Sequence, residues 1–348
     1  MMRAAVLEEI GKLRLKQVPV PEPGPGEVLV RIEANTICGT DLRIISGAKT
    51  AGVRPGVILG HEFAGRVAAV GRGVDGVPVG AQVTCSIVVS CQRCRACLSG
   101  REQLCENLVL FGYELDGGLA EYLLVPRIAM DHGNLVVLEK EIPATTLALA
   151  EPVSCCLNGA GQVAVAPGES VVVLGTGPIG LLHIALAKLA GATTILAAGR
   201  EGRLTAATDF GATCTFALTG EALTAEARER TNGRGADVVI VAVGDLALAN
   251  QALELAAIGG RVNYFAGFPK GKTASIDPNL IHYRELAVTG GSNARRADVR
   301  RAVELLSSGA LDVGRLVTHR FPLAELDAAV TAVARRDGLK VAVMPAAG

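Results

Sequence analysis

The segment Val171-Val172-Val173-Leu174-Gly175-Thr176-Gly177-Pro178-Ile179-Gly180 restricts the fold of this chain more than any other. Four apolar residues read as a buried strand, and a helical apolar pattern over 178–190 follows the glycines at once. A G-x-G-x-x-G run alone is weak; between a strand and a helix it has a mechanical meaning. Gly175 permits the tight turn, Gly177 lets the backbone approach a pyrophosphate, and Gly180 allows the helix to lie close to the strand. Pro178 and Ile179 open that helix, whose free N–H groups and positive dipole end face the phosphates. A purely structural tight turn is the competing reading. Strand signals recur at 193–197, 214–216, 237–241 and 261–265, with a helical stretch at 200–210 and others between. This alternation predicts an α/β architecture with a doubly wound parallel sheet.

The residues that close the second strand bear on which dinucleotide binds. Sites for NAD usually place Asp or Glu there, to accept from the ribose 2′-hydroxyl. Here the run is Ala197-Ala198-Gly199-Arg200-Glu201-Gly202-Arg203. Gly199 makes room for a 2′-phosphate, and Arg200 and Arg203 offer forked donors to it. NADP is therefore expected, with NAD held by Glu201 as one alternative and two solvated arginines as the other.

The first 150 residues differ in texture. They are rich in Gly, Pro and Val, with short alternating runs at 28–32 and 67–70, and read as an irregular β domain. Within them lies Cys91-x2-Cys94-x2-Cys97-x7-Cys105. Short gaps let successive thiolates converge on one ion, and the longer gap returns the fourth over a loop. Four sulfurs make a closed tetrahedral zinc site, which stabilises a loop and leaves no open position for catalysis. Arg93, Arg95 and Arg101 offset the thiolate charge. A redox or disulfide cluster and a nucleic-acid-binding zinc ribbon are the other readings.

Composition weighs against several classes of partner. Lys+Arg and Asp+Glu both number 34, so no basic field points to nucleic acid or an anionic membrane. Aromatics are 3% and Trp is absent, which leaves little for base stacking. The N-terminal residues carry no apolar signal core, and the apolar run 171–189 is interrupted by glycines, Pro178, His183 and Lys188. The expectation is a cytoplasmic protein with a small-molecule partner, no nucleic acid and no membrane. At 348 residues, two domains are expected.

Three further segments, Cys38-Gly39-Thr40-Asp41, Gly60-His61-Glu62 and Glu151-Pro152, complete a joint pattern. With the cysteine loop and the glycine signature, the chain resembles the zinc-containing medium-chain alcohol/polyol dehydrogenases over essentially its full length, nearest their sorbitol/threonine dehydrogenase-like branch. The resemblance implies a GroES-like catalytic domain at 1–152 and 291–348, with a structural zinc lobe at about 85–110, and a Rossmann NAD(P)-binding domain at 153–290. It places a catalytic zinc on Cys38, His61 and Glu151, and a structural one on Cys91, Cys94, Cys97 and Cys105, so two zinc ions per chain. It sets Glu62 beside the catalytic metal, gives Thr40 a hydrogen bond to the substrate oxygen, and puts Gly267 beside the nicotinamide. Asp41 either orients the cysteine loop or His61, or serves as a solvated cap.

One position departs from the family pattern. Many relatives have His five residues after the zinc cysteine, and this chain has Arg43. Arginine cannot shuttle a proton near neutrality. Either the relay ends in water or the reaction favours carbonyl reduction. The implied activity is hydride transfer between NAD(P) and the secondary alcohol or ketone of a polyol, cyclitol or sugar-like molecule. Alternatives are threonine-like amino alcohol oxidation, a zinc-free quinone-reductase-like protein and a non-enzymatic zinc-ribbon module. The resemblance also implies a homodimer or homotetramer. Glu114, Glu121, Asn158 and His282 are candidate pocket residues, with ordinary surface or supporting roles ahead of substrate contact.

Overall fold

The computed structural model describes residues 1–345. The chain forms two compact units, one of Met1–Ser154 with the chain from Asn293 onward, the other of Cys155–Ser292. The expected tail of the first domain runs to 348, and residues 346–348 lie outside the described residues.

The second unit is a sheet of six strands in the spatial order Cys214–Phe216, Thr194–Ala198, Ser170–Leu174, Ala236–Val241, Ala256–Tyr264, Ala287–Gly290. All neighbours run parallel. Such a sheet is covered on both faces, so its inner strands are apolar throughout, and Val171, Val172, Val173 and Val239 are fully buried. Two details differ from the sequence expectation. The helix expected over 200–210 is a 3-10 turn, Glu201–Arg203, followed by the helix Leu204–Phe210. Arg203 sits at φ −122° and ψ 1°, outside the helical region, so the two pieces do not fuse. The strand expected at 261–265 starts at Ala256, with a register shift against Ala236–Val241. Gly259 and Gly260 form that irregularity, and paired glycines inside a strand look like a break when read from sequence.

The first unit is built on β-structure. A three-stranded sheet orders Lys12–Val18, Met2–Glu9 and Val57–Ile58. A seven-stranded sheet has Val28–Thr36 near its middle, with Glu62–Val70 and Lys340–Met344 as its antiparallel neighbours and Tyr122–Val125 also paired to it. An inner strand of this sheet, Lys340–Met344, therefore follows the second unit in the chain, and Val317–Pro322 runs parallel to it at the edge. The register sets Ala342 opposite Thr36, and Thr36 opposite Glu62. The cores beneath these sheets gather Leu7, Ile44, Leu59 and Leu119 on one side and Val30, Ile32, Phe63 and Phe111 on the other. Among the described residues no helix is long and apolar enough to cross a membrane.

Candidate active site

Cys38 caps the short helix Gly39–Ile45 in extended conformation, at φ −97° and ψ 157°. Asp41, at the third helical position, turns back so that its Oδ2 accepts from the Cys38 backbone N–H at 2.8 Å. Its other oxygen lies 3.2 Å from His61 Nδ1. One buried carboxylate thus braces both the cysteine and the histidine. Asp41 faces Nδ1 at ion-pair distance without an aligned hydrogen bond, which makes Nε2 the ring nitrogen open to a metal. Burial alone would lower the His61 pKa, but the charge of Asp41 and then Tyr113 hold it well above the usual histidine value.

Ligand atoms of Cys38, His61 and Glu62 all lie within 4.8 Å of one another. A thiolate, an imidazole and a carboxylate form a donor set that fits zinc and leaves its fourth position open. Glu151 is not part of this set. It lies in the first turn of the helix Ala150–Val163, and its charge is felt by Tyr113 and Lys340. Cys38 and His61 of the expected set come together, with Glu62 beside them. Glu62 is fully buried, accepts from Thr36 Oγ1, and receives Lys340 Nζ at 2.6 Å. Burial opposes the Lys340 charge, yet Glu62 keeps that ammonium above the ordinary lysine range. Neither Thr36 nor Lys340 stands out in the sequence, because strand register alone brings them to Glu62. Thr40 Oγ1 accepts from Arg43 Nη2 at 2.9 Å. Tyr113 is buried with its ring 5.4 Å from that of His61.

The four loop cysteines also converge. Their sulfurs lie within 4.8 Å of one another, with Cys94 to Cys97 at 3.5 Å and Cys94 to Cys105 at 3.9 Å. Sulfurs about 2.3 Å from a tetrahedral zinc are about 3.8 Å apart, so the spacing suits the ion, and every cysteine is free of disulfide. Backbone N–H groups of Arg93 and Cys94 bring the Cys91 thiol down to about 6. Burial raises Cys105 to about 12, although the N–H groups of Cys91 and Asn107 point at its sulfur. The lobe has little apolar interior of its own, since Leu98 is 76% and Leu104 53% exposed. A metal is then its main internal tie. Chelation is expected to open residues 91–105 to limited proteolysis while the sheets stay protected, with re-addition of zinc restoring resistance.

In the second unit, Gly175 has φ +105°, and a Cβ on Gly180 would fall 1.7 Å from Gly175 O. Both positions admit glycine alone. Gly177 caps the helix Pro178–Leu189, with Pro178 in its first turn and Ile179 next to it. Arg203 Nη1 lies 3.5 Å from where a Gly177 Cβ would be, so this guanidinium sits over the helix N-terminus. Burial, and then the neighbouring Arg200 charge, lower the Arg203 pKa. A Cβ on Gly199 would fall 2.0 Å from Thr176 Oγ1. The space in which an acidic side chain would start is filled by Thr176. Gly267 packs its carbonyl against Gly244, where a Cβ would be 2.3 Å away. Of the candidate pocket residues, Glu121 pairs with Arg3 at 2.9 Å and Glu114 accepts from Leu110 N–H at 3.0 Å. Asn158 is buried and its Nδ2 donates to Ser292 O at 3.4 Å, and His282 meets Tyr283 edge to face.

Residues 24–132 match the family model of the alcohol dehydrogenase GroES-like domain, and residues 178–308 that of the zinc-binding dehydrogenases. The chain is 37% identical over 313 residues to L-threonine 3-dehydrogenase of Pyrococcus furiosus, covering 88% of this chain and 87% of that one. It is 33% identical to L-galactonate-5-dehydrogenase of Escherichia coli, covering 93% of each. A Sinorhizobium meliloti protein described as a zinc-binding dehydrogenase, solved with NADP bound, superimposes with a TM-score of 0.92 at 36% identity over 99% of both chains. The paired domain matches, read with the gathered Cys38, His61 and Glu62, place this chain in the zinc-containing medium-chain alcohol dehydrogenase family, enzymes that work with zinc and NAD(P).

Proposed function

We propose that this enzyme transfers hydride between NADP and the secondary alcohol or ketone of a polyol, cyclitol or sugar-like molecule, with Cys38, His61 and a carboxylate from Glu62 or Glu151 holding the catalytic zinc. The convergence of Cys38, His61 and Glu62 within 4.8 Å, braced by Asp41, carries this reading. Zinc held there supplies a Lewis acid at the substrate oxygen. The chain's own groups do the rest. Asp41 fixes the imidazole and the cysteine loop. Arg43 occupies a lone pair of Thr40 Oγ1, so the Thr40 proton is the one free to reach a substrate oxygen. Arg43 only donates, and the proton released on oxidation leaves through water. Cys91, Cys94, Cys97 and Cys105 hold a second zinc that shapes their lobe. A threonine-like amino alcohol is the second substrate class, favoured by the similarity to L-threonine 3-dehydrogenases.

For the cofactor, the turn at Gly175–Gly180 and the following helix N-terminus take the pyrophosphate, and Arg200 and Arg203 take the 2′-phosphate. Replacing both arginines with alanine is expected to cut the preference for NADPH over NADH by about 10- to 100-fold, since a charge-assisted hydrogen bond contributes about 1.5–3 kcal/mol. The measurement is each cofactor's affinity by fluorescence titration, and an unchanged ratio rejects the phosphate clamp. Association into a homodimer or homotetramer is supported by the outermost strand Ala287–Gly290, where Val288 is exposed, and by the exposed side chains of Ile258 and Tyr283. Turnover of a panel of polyols, cyclitols and amino alcohols with zinc-loaded enzyme, followed by cofactor absorbance, tests the whole reading. No turnover of any of them rejects it.

A further inference from the structure

The loop after the helix Gly39–Ile45 carries a cation that the mechanism above does not use. Lys49 is half-buried, and its Nζ lies over the Tyr113 ring, 5.3 Å from the centroid. Tyr113 in turn lies against His61, ring to ring at 5.4 Å. Tyr113 thus touches both the metal-binding imidazole and an ammonium of the first unit.

The neighbouring charges already have partners. Arg54 Nη2 pairs with Asp116 Oδ1 at 3.0 Å, and that oxygen also takes the Ile58 N–H. Glu114 Oε2 accepts from Leu110 N–H, and Arg43 donates to Thr40. Lys49 differs. Its one polar contact is the Ala51 carbonyl at 3.4 Å, and among the described residues no carboxylate lies within ion-pair distance of it. An ammonium held over an aromatic face beside a second cation site makes a field that favours an anion. A neutral alcohol gains nothing from it.

We infer that Lys49 is a specificity-determining residue and that the substrate carries a carboxylate a few bonds from its reacting hydroxyl, held by the Lys49 ammonium above Tyr113. This inference rests on the dehydrogenase reading and narrows it to hydroxy acids. In the oxidative direction, the hydride pair leaves the carbinol carbon for the nicotinamide nucleotide and the hydroxyl proton goes to water. The carboxylate is unchanged, and the product is the matching oxo acid.

The test compares acids with their own methyl esters, using 3-hydroxybutanoate, 2,3-dihydroxybutanoate and threonine, with zinc-loaded enzyme and NADP. The wild type is expected to favour acid over ester by about 10- to 100-fold in kcat/KM, chiefly through KM, the range for a hydrogen bond to a charged group. Lys49→Met, which keeps the apolar stem over the ring, should abolish that preference while ester turnover changes by less than about twofold. Lys49→Arg should retain most of it. An acid-to-ester ratio that Lys49→Met leaves unaltered overturns the inference, as does a wild type that prefers esters. Calorimetric binding of the acids to the zinc-loaded protein gives a readout without turnover. Lys49-dependent acid binding with no alcohol oxidised would reject the dehydrogenase reading and keep the anion site. Turnover of esters and acids alike would do the reverse.

Discussion

Cys38→Ala or His61→Ala should lower kcat/KM by at least about a thousandfold for every substrate the wild type turns over. Lewis-acid assistance contributes several kcal/mol, and each 1.4 kcal/mol is a factor of ten. Bound zinc should fall from two ions per chain to one, because the four-cysteine loop is a separate cluster. Thermal unfolding of the second unit should be unaffected, since neither residue belongs to it. Asp41→Asn should act more mildly. It keeps the shape but weakens the acceptor behind His61 Nδ1 and the Cys38 N–H, and the loss expected of such supporting groups is about 10- to 100-fold. Metal analysis together with steady-state kinetics separates these outcomes. Wild-type turnover in Cys38→Ala with zinc still at two per chain would remove these residues from the catalytic site.

The second large effect concerns stability. In the zinc-free protein, Lys340→Met leaves Glu62 buried without its opposing charge, whereas the native pair is 2.6 Å apart. Removing one member of a buried pair costs about 3–5 kcal/mol, even where replacing both members would be close to neutral. Glu62→Gln added to Lys340→Met should therefore recover a large part of the loss, and the double-mutant cycle isolates the coupling. Chemical unfolding of the single and double variants measures this. A Lys340→Met deficit that Glu62→Gln leaves unchanged would mean that Glu62 has found another partner.

Much of this was legible before any coordinates, and the reason is local. Cys38 and Asp41 are three residues apart, His61 and Glu62 are adjacent, and the cysteine loop spans 15 residues. Chemistry confined to one turn or loop leaves its mark in spacing. The glycine turn is readable for the same reason. What stayed hidden is set by strand register. Thr36 and Lys340 meet Glu62 only because Val28–Thr36 pairs with both Glu62–Val70 and the final strand, and Lys340 is 278 residues from its partner. Tyr113 and Lys49 are equally ordinary in sequence, since the Tyr113 ring meets His61 across 52 residues and Lys49 across 64, and neither contact has a period. Gly199 shows a subtler miss. From sequence it reads as room for a phosphate, and the structure adds that Thr176 already claims the space beside it.

The strand Lys340–Met344 of the seven-stranded sheet is synthesised after the whole of Cys155–Ser292. The contiguous stretch Cys155–Ser292 has all its strands in hand well before then. On the ribosome the inserted unit can mature while the earlier one waits with an open sheet seam and a lone buried acid at Glu62. The unit that starts earlier in the chain is thus the one that receives its strands later.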